Sequence, residues 1–295
     1  MLRCRPSAIA SLLALIVLVS GCASFPQPRE NLRFDDELSA EQWFERLMQA
    51  HGGDLSAEAR DFNLAMTGQW YSLIQRIQPL VSDADYRVSA EERYRPSENL
   101  YVVRHQGPAG TKTVWRQGAD IKVWYDGEPV EDPDVLAATA MTTDAFELFH
   151  FGPSFLARRG TGMTRLSAGR EDGRPYPRLL FTIEPGFGQA ERDQVVAWID
   201  PDSHRLFRVH ITLNGFETTR NAHVDTTFSD YTEHGGYWFP NAFEERVRGP
   251  IRIDAHDWHI TGRDIDRGWT REDVAGPVFS GAAEPSAASK SAEPD

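Results

Sequence analysis

From Tyr86 to Ile265 the chain repeats one pattern: short alternating runs of apolar and polar residues, each closed by Gly, Pro, Asp or Asn. Alternation with period two places successive side chains on opposite faces of a strand. Tyr86 to Tyr94 sets Tyr86, Val88, Ala90 and Tyr94 on one side and Arg87, Ser89, Glu91 and Arg93 on the other. Leu100–His105, Thr111–Arg116 and Ile121–Tyr125 follow across Gly- and Asp-bearing turns, as a meander. After a break the pattern resumes at Leu179–Ile183, Gln194–Asp200, Arg205–Leu213, Ala222–Tyr231, Tyr237–Val247 and Ile251–Gly262. The spacing predicts about ten or eleven antiparallel strands, a mainly β chain of the α+β class.

Two segments carry a helical period instead. Ser39 with Gln42 makes a capping box ahead of Trp43, Phe44, Leu47, Met48 and Ala50, predicting a helix over 39–51 closed by His51-Gly52-Gly53. Asp134 to His150 contains no Gly or Pro, and Gly152-Pro153 is expected to stop it. Ala138, Met141, Ala145, Leu148 and Phe149 mark one face; Val135, Phe146 and Phe151 widen it. A helix this apolar needs cover. Either two sheets cover each other, or one curved sheet wraps the helix; periodicity does not choose.

The N-terminus gives an address. Arg3 and Arg5 precede a short apolar run, Ile9–Val19, and Val19-Ser20-Gly21-Cys22 matches a bacterial lipobox. The expectation is a signal peptide over 1–21, lipidation of Cys22, a tether over 22–36, a folded domain over 37–272 and a disordered tail over 273–295. Cys4 and Cys22 are the two cysteines, so a mature chain has no free thiol for catalysis. Ala23 and Ser24 follow Cys22, and the lack of Asp there favours the outer membrane, facing the periplasm. The 295 residues carry 44 Asp+Glu against 31 Lys+Arg, a net charge of -13, which argues against nucleic acid as a partner.

The second half resembles a known group. Ala197-Trp198-Ile199-Asp200-Pro201 leads to Leu206-Phe207-Arg208-Val209, then Phe228-Ser229-Asp230-Tyr231 and Gly235-Gly236-Tyr237-Trp238-Phe239-Pro240. This order of elements is similar to the back half of the LolA/LolB-like superfamily of lipoprotein carriers, and the resemblance covers roughly 38–265. It implies an incomplete antiparallel barrel wrapped around helices, with an apolar cavity for acyl chains. It also implies a binding protein rather than an enzyme: an envelope lipoprotein, expected to be a monomer without a cofactor. Its partner would be a lipid, such as palmitate, or the acyl chain of a lipoprotein, for lipid or lipoprotein transport.

The cavity lining expected on this reading is Tyr86, Val88, Trp115, Phe146, Phe149, Phe181, Trp198, Val209, Ile211, Phe228 and Phe239. Moving a sixteen-carbon chain through water costs about 12 kcal/mol, which such a lining would return. The superfamily also resembles the envelope-stress regulator RseB, so a regulatory protein-binding module is the alternative. The segment Ile74–Asp83 is an insertion relative to the carriers, and its Leu73, Ile74, Ile77, Leu80 and Val81 either protrude or pack on the core.

A hydrolase has weaker support. His256-Asp257-Trp258-His259 is the densest histidine cluster, but on a strand His256 and His259 face opposite ways. Asp257 with His259 and His223 with Asp225 read as surface pairs. The chain has no HExxH, EF-hand, GxSxG or phosphate-loop motif.

Overall fold

The computed structural model describes residues 24–29, 36, 38–249 and 251–275. The expected signal peptide, Cys22 and the tail from 276 onward lie outside the described residues. Five α-helices, three short 3-10 helices and fifteen strands are described. Helices α1 (Ala40–Ala50) and α2 (Leu55–Glu58) precede β1 (Phe62–Trp70). Two short helices, α3 (Ser72–Ile77) and α4 (Pro79–Ser82), lead to β2 (Ser89–Arg95), β3 (Leu100–Gly107), β4 (Gly110–Gln117), β5 (Asp120–Tyr125) and β6 (Glu128–Val130). The long α5 (Pro133–Arg159) follows, then β7 (Gly160–Glu171), β8 (Arg174–Ile183), β9 (Asp193–Ile199), β10 (Leu206–Thr212) and β11 (His223–Ser229). A small hairpin of β12 (Thr232–His234) and β13 (Tyr237–Phe239) precedes β14 (Ala242–Gly249) and β15 (Ile253–Ile265).

Thirteen strands form one antiparallel sheet in the order β6-β5-β4-β3-β2-β1-β15-β14-β11-β10-β9-β8-β7. The topology has a simple logic. From β1, in the middle, the chain steps outward through hairpins to the edge at β6. It crosses to the opposite edge, β7, through α5, and steps back to the middle. There β15 pairs with β1 from Phe62↔Ile265 to Trp70↔His256. The two edges do not pair with each other, so the sheet stays an incomplete barrel, and the crossing helix fills its concave face. One curved sheet, not a sandwich, covers the apolar helix.

The sequence undercounts the strands. Thirteen in the main sheet and two in the hairpin replace the expected ten or eleven. The additions include β1 and the Gly-rich β7. Tight turns hold the meanders: Asp126-Gly127, Asp172-Gly173 and Gly235-Gly236 all have positive φ, as two-residue type I′ hairpins require. The α1 capping box forms as expected, Ser39 Oγ accepting from Gln42 N at 3.2 Å and Gln42 Oε1 from Ser39 N at 2.8 Å.

The concave core joins both halves: Leu47, Phe62, Leu64, Met66, Tyr94, Val103, Val114, Phe149, Phe155, Leu179, Phe181, Val195, Val209, Ile211, Phe243 and Trp258 pack in one cluster. The convex face carries two smaller clusters. Leu100, Val102 and Trp115 lie under Trp269 and Val274, and Leu166, Tyr176, Leu180, Val196 and Trp198 lie under Phe25. Both ends of the described chain therefore run across the outside of the sheet. Phe25 comes from the expected tether and Val274 from the expected tail.

Candidate functional site

The site is built around α5. Asp132 caps it, its carboxylate accepting from Asp134 N at 2.9 Å and Val135 N at 3.4 Å, and Pro133 occupies the first turn, where no donor is lost. From Ala138 to Leu156 nearly every side chain is buried. Gly152 takes φ 43° and ψ -112°, which breaks the helix direction before Pro153, and helix resumes as far as Arg159. The expected stop at Gly152-Pro153 is thus a sharp bend. In a straight helix Asp144 and Arg159 would stand about 22 Å apart. Here Arg159 Nη1 lies 3.3 Å from Asp144 Oδ1, and Arg158 pairs with Glu147, so the second limb folds back on the first.

Asp144 is the hub of this bend. It is buried, and it accepts from Arg116 of β4 at 2.9 Å, from Arg159, and from Gly188 N at 2.6 Å. Burial pushes its carboxyl pKa up, against the pull of the two guanidiniums. Through Gly188 it also fixes the β8–β9 loop, where Phe187 stacks on Phe155 at 6.0 Å.

A cleft of about 410 Å³ opens between β5, the start of α5 and the β8–β9 and β10–β11 loops. Its apolar floor is Ile121 of β5, Leu136 and Ala137 of α5, and Phe216. Its polar rim is Asp134, Gln189, Asn214, Glu217 and Arg220. The volume falls within the roughly 300–1,000 Å³ range of ligand pockets. The rim is firmly held. Asn214 donates to Asp193 Oδ1 through its side chain (2.9 Å) and its backbone (3.1 Å), and Thr212 Oγ1 donates to the same oxygen at 2.6 Å. Thr219 Oγ1 donates to Leu213 O at 2.9 Å, fixing the turn that carries Phe216.

On the outer side of this rim stand α3 and α4. Gln78 Nε2 donates to Thr218 O at 2.9 Å and Thr218 Oγ1 to Gln78 Oε1 at 2.6 Å. The segment Leu73–Val81 divides: Ile74 and Val81 are buried in the core, whereas Leu73, Ile77 and Leu80 are exposed.

Behind the cleft the interior is filled. One void of about 20 Å³ lies among His51, Phe149, Leu206, Phe228, Tyr231 and Phe239. Another of about 10 Å³ lies among Arg87, Glu92, Tyr101, His105, Lys112 and Thr139. Each is about the size that one water requires.

The side chains expected to line a cavity are placed as follows. Phe146, Phe149, Phe181, Val209, Ile211, Phe228 and Phe239 come together in the concave core, where they are packed. Trp115 and Trp198 sit in the convex clusters. Val88 is 45% exposed, and Tyr86 lies before the strand, its ring 4.5 Å from that of Tyr125. The reason is local. The turn after α4 runs to Val88, with Arg87 N donating to Asp83 O, so alternation starts only at Ser89. Extending it upstream inverts Arg87, which is buried, and Val88, which is not.

Sequence reasoning also missed the buried polar groups of the smaller void. Glu92 was legible, since it shares the parity of Ala90 and Tyr94 on β2. It is buried, with Oε2 3.0 Å from His150 Nε2 of α5. The histidines divide as strand geometry requires: His256 is buried in the concave face and His259 is exposed. His223 lies 2.7 Å from His210 on the convex face. Among the described residues no three His, Cys, Asp or Glu side chains are placed to hold a metal ion. No helix among them is long and apolar enough to cross a membrane.

The fold thus defines a class: an open antiparallel half-barrel wrapped around a bent helix, as the resemblance implies. Solved structures carry the same likeness. The chain is similar to a LolA superfamily protein of Nitrosomonas europaea, at 10% identity over 81% of this chain and 98% of that one, with a TM-score of 0.47. It is similar to a DUF1329 family protein of Desulfovibrio piger, at 13% identity over 79% and 95%, with a TM-score of 0.46. A domain of Vibrio parahaemolyticus assigned to outer membrane lipoprotein sorting gives 10% identity over 80% and 97%, with a TM-score of 0.42. No family model matches the chain, and no curated protein matches its sequence.

Proposed function

We propose that this chain is an envelope lipoprotein that binds one acyl chain, lodged in the cleft between β5, the start of α5 and the turn bearing Phe216. The observation that carries the reading is the cleft itself. An apolar floor under a polar rim suits an amphiphile, and part of that floor is the first limb of the helix that fills the half-barrel. A chain entering more deeply would displace that limb and meet Phe146, Phe149, Phe181, Val209, Ile211, Phe228 and Phe239. Acylation of Cys22 would hold the protein at the outer membrane, facing the periplasm. Binding and handing on of a lipid or lipidated protein, without catalysis, is the role this supports.

The test uses the chain from residue 23 onward, which contains the whole described structure. Native mass spectrometry and titration with a fluorescent fatty acid are expected to give one amphiphile per chain. Leu136→Asp is expected to weaken uptake at least tenfold, about 1.4 kcal/mol, with the circular dichroism unchanged. A wild-type chain that carries no lipid and takes up no fatty acid would overturn the reading.

A further inference from the structure

After β15 the chain crosses the convex face of the sheet strand by strand. Asp266 N donates to Asp61 O, next to β1, at 2.9 Å, and Gly268 N to Asp61 Oδ2 at 2.7 Å. The Trp269 ring centre then lies 5.4 Å from the guanidinium carbon of Arg95 on β2. Arg271 pairs with Glu98, between β2 and β3. Trp269 and Val274 pack on Leu100 and Val102 of β3 and Trp115 of β4. Ala275 comes next, and it forms one wall of a groove of about 250 Å³ with Leu100, Trp115, Lys122, Trp124 and Arg271. The path therefore leads from the middle of the sheet toward its edge at β6, and at Ala275 it has reached the β4–β5 hairpin.

The groove is aromatic. Trp115 pairs with Lys122 and Thr113 with Trp124, so Trp115, Lys122 and Trp124 share the convex face. Both tryptophans are half-buried, and Lys122 Nζ lies 5.1 Å from the Trp115 ring centre. Two large rings in one open groove favour a further apolar or aromatic side chain. The sequence supplies one at the right distance. Residues 276–279 read Gly-Pro-Val-Phe, and Val278 and Phe279 are the only large apolar side chains in 276–295. Phe279 is four residues after Ala275, so its Cα stands within about 14 Å of that wall of the groove. The other convex cluster is covered in the same manner, by Phe25 from the opposite end of the described chain.

We propose that the segment Val278-Phe279 docks in this groove, with the Phe279 ring between Trp115 and Trp124. The C-terminal segment is then a second cover of the convex face, matching the N-terminal one. It lies across the outside of β5, the strand whose Ile121 lines the cleft on the inner side. The proposal is independent of the acyl-chain reading.

The experiment uses the chain from residue 23, which contains no cysteine, so that Ser280→Cys carries a single nitroxide label. The expected spin-resonance spectrum is dominated by a slow component, at every protein concentration. Phe279→Ser and Trp124→Ala, each added to the labelled chain, are expected to convert most of that component to a fast one. Phe279 lies outside the described fold, so its variant keeps the test valid if Trp124→Ala fails to fold. A fast spectrum in the labelled parent overturns the proposal, as does a slow component that survives Phe279→Ser or survives in a folded Trp124→Ala. A slow component that grows only as the protein is concentrated assigns the groove to a second copy of the chain and overturns it as well.

Discussion

His51 shows how much one side chain can hold. It ends α1, and its ring is buried under Tyr231. Nδ1 lies 3.0 Å from Trp238 O, and Leu206 N donates to Nε2 at 3.0 Å. The first contact needs a proton on Nδ1 and the second needs a lone pair on Nε2, so the ring must be neutral. It ties the end of α1 to the start of β10 and to the β12–β13 hairpin. Burial, with Arg205 nearby, pushes its pKa down to about 4 against the pull of the Trp238 carbonyl. Burial and then His223 push His210 down to about 3, and burial holds His105 well below its usual range. An unfolded histidine binds its proton near pH 6.5, so between about 4 and 6.5 the unfolded chain binds more protons at these positions. Stability should therefore rise with pH through that window and fall on acidification, by on the order of 1 kcal/mol per pH unit per histidine. Urea midpoints at pH 7 and pH 5 measure this. His51→Ala should cost about 2–4 kcal/mol at pH 7, since it leaves a buried N–H and a carbonyl unpaired beside a cavity. It should also make the loss between pH 7 and pH 5 smaller by about 2 kcal/mol. An unchanged loss would mean that the ring is already charged in the fold.

At the scale of the element, α5 depends on one residue for its bend and another for its grip. Gly152 at φ 43°, ψ -112° occupies a region that side chains with a Cβ avoid, and a Cβ there would stand 3.2 Å from Leu206 Cδ2. Gly152→Ala is expected to lower the urea unfolding free energy by about 1–3 kcal/mol. Asp144→Ala leaves Arg116 and Arg159 facing each other without their shared carboxylate, and about 3–5 kcal/mol should be lost. Hydrogen exchange would then show the β8–β9 loop loosened together with the helix, because Gly188 N loses its acceptor. Much of this element could be read from residues: the Gly-free apolar run, the cap and the break at Gly152-Pro153. The fold-back could not, because it is fixed by Arg158 and Arg159 reaching residues well back along the chain. Strand β7 was hidden for a similar reason. Its Gly169 looks like a strand breaker, yet a Cβ there would come within 2.2 Å of the Trp198 ring, so the glycine makes room for a tryptophan two strands away.

For the whole molecule, the governing fact is that both faces of the sheet carry buried apolar clusters, the convex face in two patches. A half-exposed sheet reads as apolar inward and polar outward. That rule places the concave core correctly, but it has no means of placing Trp115 and Trp198 outside, because their cover comes from distant segments. Residues 24–29 supply one cover. Phe25 packs on the Trp198 cluster with its ring 4.8 Å from that of His210, and Gln27 Nε2 donates to Gln194 Oε1 at 3.3 Å. Phe25 stands three residues after Cys22. An acylated Cys22 would therefore keep the β9–β11 convex face within about 11 Å of the bilayer surface. The docked segment packs on the convex side of β7–β11, whereas the cleft is lined by β5, the start of α5 and the loops after β8 and β10, and the prediction at this scale is that they act independently. Phe25→Ala removes a half-buried ring and should lower stability by about 1 kcal/mol, read as a drop in urea midpoint with a change in tryptophan emission. Fatty-acid affinity in the same variant should stay within twofold of the wild type. A large loss of affinity would mean that the contact at Gln194, next to the Asp193 that holds Asn214 on the rim, transmits the docking of the tether to the cleft.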